Sequence, residues 1–220
     1  MDAALKQALL TLDCASLADA DKSMRVMDAG LRAVNTGTKL LGIARTVRCH
    51  EDFLAIIRAL DASEPGDVLV VDTQGSRRAV VGELFSIEAA RRGLAGIVVD
   101  GTVRDVHMLR TLALPVYARG LCPLSGTVRD LGSLQVPINC GGVVVNPGDI
   151  VMGDDDGIIV ASANALAALV PQARDIEVRE TEVRARMAAG RGLVSMINLA
   201  EHVNALERGL PSKLAFKLED

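Results

Sequence analysis

Leu94-Ala-Gly-Ile-Val-Val-Asp100 is a short apolar run rich in β-branched residues, and Gly101-Thr-Val-Arg-Asp105 follows it directly. Such a run predicts a buried strand, so Arg104 and Asp105 should emerge where that strand ends. The same pentapeptide recurs at residues 126–130, but turn residues rather than an apolar run precede it there. We therefore predict a functional site at the first copy and a solvated Arg–Asp pair on a loop at the second.

Neighbouring segments extend this strand into a β-α-β unit. Residues 68–72 have the pattern of a buried strand, residues 82–92 that of a helix entered through a glycine, and residues 97–100 that of the next strand. Residues 43–49 alternate as a half-buried strand does, and residues 52–61 carry apolar side chains at the helical period. The predicted fold class is therefore α/β.

Helices are predicted at both ends of the chain. Residues 1–28 have helical character, and Ser16 is a candidate N-cap for a second helix within them. Residues 165–189 show helical spacing with a charged outer face, and Pro171 predicts a kink or break in that helix.

Short apolar strands separated by glycine and proline occupy residues 143–160, and we predict that they form consecutive hairpins. One of the connecting turns, Asp154-Asp-Asp-Gly157, is acidic enough to suggest a calcium loop. It lacks the alternate ligand spacing and the distal glutamate of an EF-hand, so a tight turn is the better interpretation.

Composition narrows the class of protein. Hydrophobic residues make up 50% of the 220 residues but aromatic residues only 2%, so aliphatic side chains must build the core of one domain over residues 1–220. A net charge of −4 argues against a nucleic-acid partner. No membrane span or signal peptide is indicated, and we expect a soluble cytoplasmic protein. The four cysteines lack metal-ligand spacing and are expected to be packing thiols.

Several polar residues and one glycine are predicted at or beyond the carboxyl ends of strands, where open α/β sheets bind their ligands. They are Asp72, Gly82, Glu83, Asp100, Arg104 and Asp105.

The chemistry of these residues suits an anionic substrate beside a divalent cation. Arg104 offers a planar donor fork for a carboxylate, and Asp105 is a hard oxygen ligand for Mg²⁺ or Mn²⁺. Gly82 would let a ligand approach the exposed N–H groups at a helix N-terminus. The alternative is a local Arg104–Asp105 salt bridge of the kind common on surfaces. Glu83, twenty intervening residues before Arg104, favours a functional site.

The chain resembles a known family, that of 4-hydroxy-4-methyl-2-oxoglutarate aldolases and regulator of ribonuclease E activity A (RraA). The resemblance rests on Gly82-Glu-Leu84, Gly93 to Gly101 and Val103-Arg-Asp105, and it extends in the same order to Pro65 to Asp72 and Gly141 to Asp149. It implies a swivelling β/β/α fold, assembled as a ring-shaped homotrimer or as a hexamer of two such rings.

The resemblance also implies a class II pyruvate aldolase. Asp105 would bind the divalent metal, Mg²⁺ or Mn²⁺, and Arg104 would contact the oxygens of a small 2-oxo acid substrate. Backbone amides of Gly82, Glu83 and Leu84 would complete the pocket, and Glu83 would orient a metal-bound water. Substrates would be 4-hydroxy-2-oxo acids of the 4-hydroxy-4-methyl-2-oxoglutarate type, cleaved to pyruvate and an oxo acid, with oxaloacetate decarboxylation as a side activity.

Three features qualify this resemblance. Family members often carry an acidic residue two or three places after the aspartate, where this chain has His107 and Met108. The aldolases borrow a glutamate from a neighbouring subunit, and Glu180 is the favoured match here, with Glu182 as the alternative. The competing function within the family is a non-catalytic regulator that binds a ribonuclease.

Overall fold

The computed structural model describes residues 1–218 and divides the chain into two compact units, Met1–Ala173 and a second unit that begins at Arg174. A single domain over residues 1–220 stays a prediction, because compactness alone does not show whether either unit folds independently.

Eleven strands are present among the described residues. They are β1 (Arg25–Val26), β2 (Arg32–Ala33), β3 (Leu40–Arg48), β4 (Asp67–Asp72), β5 (Gly96–Val103), β6 (Val116–Leu121), β7 (Ser133–Leu134), β8 (Ile138–Cys140), β9 (Val143–Val145), β10 (Ile150–Gly153) and β11 (Ile158–Ala161).

The helices lie at both ends of the chain and between the central strands. They are α1 (Ala3–Thr11), α2 (Cys14–Ala20), α3 (Leu54–Asp61), α4 (Glu83–Arg91), α5 (Val106–Leu109), α6 (Ala163–Ala188) and α7 (Leu199–Glu207), with a 3-10 helix at Leu193–Met196.

One nine-stranded sheet organises the first unit, with the order β1-β11-β10-β3-β4-β5-β6-β2 and β7 paired to β3. Strands β3 to β6 are parallel neighbours, so their carboxyl ends lie along one edge. The helices α3 and α4 follow β3 and β4 and cover one face through a cluster that includes Ile56, Leu69 and Val99. The predicted β-α-β unit is confirmed, and the mixed α/β fold positions β5 centrally.

The sheet curls so that strands far apart in its order meet. Tyr117 of β6 donates a hydrogen bond from its hydroxyl to the Asp154 carbonyl at 2.9 Å, beside the end of β10. A second apolar cluster joins Tyr117 to Val98 and Val160 on this inner face. Burial raises the pKa of the Tyr117 hydroxyl. This tyrosine is therefore a structural donor inside the curl.

Both N-terminal helices begin with an aspartate cap. Asp2 accepts hydrogen bonds from the backbone N–H groups at the start of α1, and Asp13 accepts one from Ser16 N–H at 2.7 Å. The prediction that Ser16 caps α2 was wrong, since Asp13 occupies the N-cap and Ser16 lies inside the helix. Helical structure ends at Ala20, before the predicted limit.

The β-rich region agrees only partly with the prediction of consecutive hairpins. β10 and β11 form a hairpin closed by residues 154–157, which confirms the tight turn. β9 does not pair with β10, because β10 joins β3 in the main sheet and β9 pairs with β8 in a separate two-stranded sheet. Pairing partners at this distance cannot be read from local pattern.

The second unit contains the C-terminal part of α6, the 3-10 helix and α7. α6 continues through Pro171, so the predicted break is absent from this helix. Asn198, which follows the 3-10 helix, forms two hydrogen bonds with the segment after α7. Its side chain accepts the Ala215 N–H at 2.7 Å and donates to the Lys213 carbonyl at 3.1 Å. Within residues 1–218, no helix is long and apolar enough to cross a membrane.

Candidate active site

Asp105 joins the end of β5 to the start of α4. Its Oδ2 atom accepts a hydrogen bond from the Glu83 backbone N–H at 3.1 Å. The residue itself stands at the N-cap of α5 in the left-handed region, with φ 58° and ψ 37°, and makes no side-chain cap to its own helix. Aspartate tolerates this conformation better than most residues. The backbone therefore directs the carboxylate away from α5 and towards α4.

Gly82 leaves the space that this carboxylate occupies. A Cβ atom at position 82 would lie 2.5 Å from Asp105 Oδ2 and 2.9 Å from Arg104 Cγ. The φ of Gly82 is −152°, an extended value that any residue adopts, so the glycine is required for space and not for backbone freedom.

Arg104 lies beside Asp105 with most of its donors unused. Its Nε atom is 3.4 Å from Asp105 Oδ2, and both side chains are about 40% exposed, at 41% and 39%. Its backbone N–H donates to the Val81 carbonyl at 3.1 Å, which holds the end of β5 against the loop before α4. Within residues 1–218 the terminal guanidinium nitrogens have no hydrogen-bond acceptor. They remain available to an anionic ligand.

The first turn of α4 supplies further donors. Glu83 N–H is engaged by Asp105, so this amide is not available to a substrate, contrary to our expectation for all three loop amides. Gly82, Leu84 and Phe85 have no N–H partner in the described part of the chain. Free N–H groups at a helix N-terminus attract anions.

A cavity of about 250 Å³ opens in front of these groups. Glu83, Arg104 and Asp105 form its polar side, and the Glu83 carboxylate has no partner within residues 1–218. The apolar side of the lining comes from Phe53, Ile57, Val80, Val81, Leu84 and Phe85.

The sequence patterns did not single out Phe53 and Phe85 as site residues. Their rings pack at 5.5 Å between centroids with an interplanar angle of 58°, and both line the cavity. The chain has only three phenylalanines and one tyrosine. The scarcity of aromatic residues was the signal that could have drawn attention to these two.

We had expected Asp72 and Asp100 to converge on this cavity because of the positions of their strands, but they do not. Asp100 lies inside β5 and is bound by Arg119 and by Gly141 N–H at 2.6 Å. Asp72 accepts Gln74 N–H and lies 3.7 Å from Arg48 Nε. Side chains alternate between sheet faces, so these two carboxylates point to the face opposite α4.

The second pentapeptide is held by Asp52, which is buried. Asp52 Oδ2 accepts hydrogen bonds from the Thr127 hydroxyl and from the backbone N–H groups of Arg129 and Asp130 at 2.7, 2.6 and 3.2 Å. Burial raises the pKa of Asp52, but these bonds and one from Leu54 N–H outweigh it, and the net pKa lies below its usual value.

This second copy supports the cavity without supplying its polar groups. Thr127 O accepts the Phe53 N–H at 2.9 Å, and Gly126 N–H donates to Ala79 O at 3.0 Å, so the loop bridges both sides of the pocket. Ser125 lines the cavity. Asp130 accepts Gly132 N–H instead of pairing with Arg129, so the predicted charge pair is not formed among the described residues.

Glu180 and Glu182 belong to the second unit and are partly exposed on α6. Arg184 lies 3.4 Å from Glu180 Oε2, and Arg186 lies 2.6 Å from Glu182 Oε1. Entry of either glutamate into a neighbouring site stays a prediction. His107 is exposed on α5 and does not line the cavity.

The donor set fits a cation held by a single carboxylate. Asp105 Oδ1 has no hydrogen-bond donor within residues 1–218, and no group of three or more His, Cys, Asp or Glu residues in that range could form a multidentate site. Mg²⁺ typically takes one or two carboxylates and keeps several waters.

Three thiols, Cys14, Cys49 and Cys140, are buried, and burial raises the pKa of Cys49 to about 12, as expected of packing thiols.

Comparison with known proteins assigns the fold to a family. Residues 14–160 match the RraA-like family model, described as Aldolase/RraA. The chain belongs to the RraA-like family. This RraA-like chain is 33% identical over 179 residues to a protein of Halalkalibacterium halodurans provisionally named 4-hydroxy-4-methyl-2-oxoglutarate aldolase, covering 79% of this chain and 85% of the relative. A protein of Xanthomonas campestris with the same provisional name is 41% identical, with 70% and 93% covered.

Solved structures extend the similarity to regulators of RNA processing. The RNA-processing inhibitor RraA from Thermus thermophilus is similar with a TM-score of 0.63 and 30% identity, over 67% of this chain and 90% of that one. An unusual member of the RNase ES inhibitor RraA protein family from Streptomyces coelicolor gives a TM-score of 0.73 and 31% identity, over 84% and 98%. The family therefore includes both named aldolases and named inhibitors.

Proposed function

We propose that this protein is a divalent-metal-dependent aldolase that cleaves 4-hydroxy-2-oxo acids to pyruvate and a second carbonyl compound, with oxaloacetate decarboxylase side activity. The observation that carries the proposal is the joint placement of Glu83, Arg104 and Asp105 on the polar side of one cavity. A protein that only binds a partner has no chemical need for these three groups at one point. They are the unpaired carboxylate of Glu83, the free guanidinium nitrogens of Arg104 and the free carboxylate oxygen of Asp105.

The chain's own residues divide the work of binding and charge stabilisation. The Arg104 guanidinium and the Leu84 and Phe85 N–H groups can hold the substrate's carboxylate and 2-oxo oxygens. Breaking the C3–C4 bond leaves negative charge on the 2-oxo oxygen, and Arg104 provides a fixed cation beside it. The Glu83 carboxylate faces the same space and can accept the proton of the C4 hydroxyl, directly or through a water.

Asp105 would hold the divalent cation, Mg²⁺ or Mn²⁺, through Oδ1. When bound there, the cation would supply Lewis-acid stabilisation for the charge that develops on the substrate. The space at Gly82 and the Glu83 amide fix the position of Asp105 Oδ2, and Oδ1 accepts no hydrogen bond within residues 1–218.

The competing function is a non-catalytic regulator of a ribonuclease, and similarity to the two named inhibitors supports it. The fold is common to both functions, so only the site discriminates between them. The complete polar set of Glu83, Arg104 and Asp105 favours the enzyme.

We also propose, from the resemblance noted in the sequence, a homotrimer or hexamer in which Glu180 from one protomer completes the site of another. Light scattering after gel filtration measures the assembly. Glu180→Gln should lower turnover, and mixing it with Asp105→Asn should restore part of the activity, because some sites then receive both intact residues. Glu182→Gln is the matched control. Complementation by Glu182→Gln instead would assign the role to that residue.

The proposed reaction is tested by pyruvate release, followed with lactate dehydrogenase and NADH. The purified full chain should release pyruvate from oxaloacetate or a 4-hydroxy-2-oxo acid with Mg²⁺ or Mn²⁺, lose this activity in EDTA and regain it on adding excess metal. Absence of metal-dependent release from every such substrate would reject the aldolase.

A further inference from the structure

The cavity has two chemically different sides, and this difference constrains the substrate beyond its pyruvate half. The side chains suited to bind the 2-oxo acid are those of Glu83, Arg104 and Asp105, and the free N–H groups of Leu84 and Phe85 follow Glu83 directly in the chain. Apart from Ser125, the other side chains that line the cavity and could contact the C4 substituent are apolar, and they include Phe53, Ile57 and Phe85.

This apolar side is built by the adjacent helices α3 and α4. Phe53 precedes α3 directly, Ile57 follows one turn later, and Phe85 comes from α4. The two rings are packed against the main core cluster, so they form a firm surface beside the polar groups. Leu84 adds an aliphatic side chain that is 75% exposed at the mouth of the cavity.

Cations are scarce in the part of this cavity that one chain supplies. Arg104 is the one cationic side chain among the described residues that line it. Arg78 lies next in sequence to the lining residue Ala79, but its Nε atom is 3.2 Å from Glu51 Oε2 and its Nη1 atom donates to the Ser125 carbonyl at 3.3 Å. A substrate with a second carboxylate would place it against rings and aliphatic carbons without a partner, which is unfavourable.

We propose that the C4 substituent of the preferred substrate is neutral and apolar, an alkyl or aryl group that packs on Phe53, Ile57 and Phe85. This inference rests on the proposed aldolase function. Cleavage breaks the C3–C4 bond, the C4 hydroxyl loses its proton and becomes an aldehyde or ketone, and C3 gains a proton to give pyruvate. The substrate named for the relatives is a 2-oxoglutarate and carries a second carboxylate, so the preference separates this chain from it.

The volume of the cavity is consistent with a compact C4 substituent. The cavity of about 250 Å³ lies just below the range of roughly 300–1,000 Å³ that is typical for small-molecule sites. A 2-oxo acid with one phenyl or branched alkyl group is a ligand of this class.

The test compares 4-hydroxy-2-oxo-4-phenylbutanoate with 4-hydroxy-4-methyl-2-oxoglutarate, and oxaloacetate serves as the reference for metal-dependent chemistry. With Mn²⁺ present, kcat/KM for the phenyl substrate should exceed that for the dicarboxylate by about tenfold or more. Preference for the dicarboxylate, or decarboxylation of oxaloacetate without cleavage of the phenyl substrate, would overturn the inference and leave the proposed function standing. No pyruvate from any of the three would reject both.

Two isoleucines provide a matched pair of variants. Ile57 and Ile87 are each 41% exposed on neighbouring helices, but only Ile57 lines the cavity. Ile57→Lys places a cation on the apolar side and should shift the kcat/KM ratio about tenfold towards the dicarboxylate. Ile87→Lys should leave the ratio unchanged. Equal ratios for both variants and the wild type would contradict the placement of the C4 substituent.

Discussion

The Asp105 carboxylate accepts the Glu83 backbone N–H at 3.1 Å, so a residue two positions beyond β5 also fixes the start of α4. Two segments separated by 22 positions are thereby held at one point, with Arg104 beside them. The hydrogen bond uses one oxygen of Asp105 and leaves the other for a ligand.

Gly82→Ala tests how closely this arrangement is packed. The new Cβ would meet Asp105 Oδ2 at 2.5 Å, and the carboxylate must move because it is the more flexible partner. We expect kcat/KM for pyruvate release to fall roughly 10- to 100-fold with little change in the urea midpoint. Gly120→Ala is the control, since its Cβ would meet nothing closer than 4.0 Å. Equal activities for both variants would contradict this account of Gly82.

Arg104 and Arg129 occupy the same place in identical pentapeptides, and their variants should differ sharply. Arg104→Ala removes a cation from the cavity and should lower kcat/KM about 100-fold. Arg129 contributes its backbone N–H to Asp52, which alanine retains, so Arg129→Ala should stay within about twofold of the wild type. Steady-state kinetics on oxaloacetate measures both. Losses of similar size would show that the second copy belongs to the reacting site.

Asp52→Asn tests the support given to the second copy. The amide replaces a charged acceptor of several hydrogen bonds, so we expect a loss of about 2–4 kcal/mol in the free energy of unfolding at pH 7. The pKa of Asp52 is lowered in the folded state. Its contribution to the free energy of unfolding is therefore complete above the pKa of the unfolded state, about 3.9, and is lost as the pH falls through the lower pKa of the folded state. Urea unfolding at pH 7, 5 and 3.5 measures the difference in free energy of unfolding between wild type and variant. This difference should become smaller only at pH 3.5. A difference that widens in acid would contradict this.

Local pattern was enough to predict the elements that build the polar side of the cavity. The run of β-branched residues predicts β5, and the pattern of a helix entered through Gly82 predicts α4. Arg104 and Asp105 follow the strand directly, so their place at its end needs no knowledge of distant contacts.

Contacts between distant segments could not be predicted in this way. Asp52 reaches Thr127 across 75 positions, and β8 takes the place that β10 was expected to have beside β9. The helical period of residues 52–61 marked Phe53 as apolar, but not as a neighbour of Phe85. Periodicity reports which face of an element is buried and not what it is buried against.

The central claim is that Asp105 is the metal ligand of a pyruvate-releasing site, and Asp105→Asn tests it most directly. Asparagine tolerates the left-handed backbone and keeps the shape of the side chain while removing its charge. Mn²⁺-dependent pyruvate release from oxaloacetate should fall at least about 100-fold in Asp105→Asn and remain near the wild-type rate in Asp130→Asn. Retention of metal-dependent release by Asp105→Asn, or an equal loss in Asp130→Asn, would contradict the account.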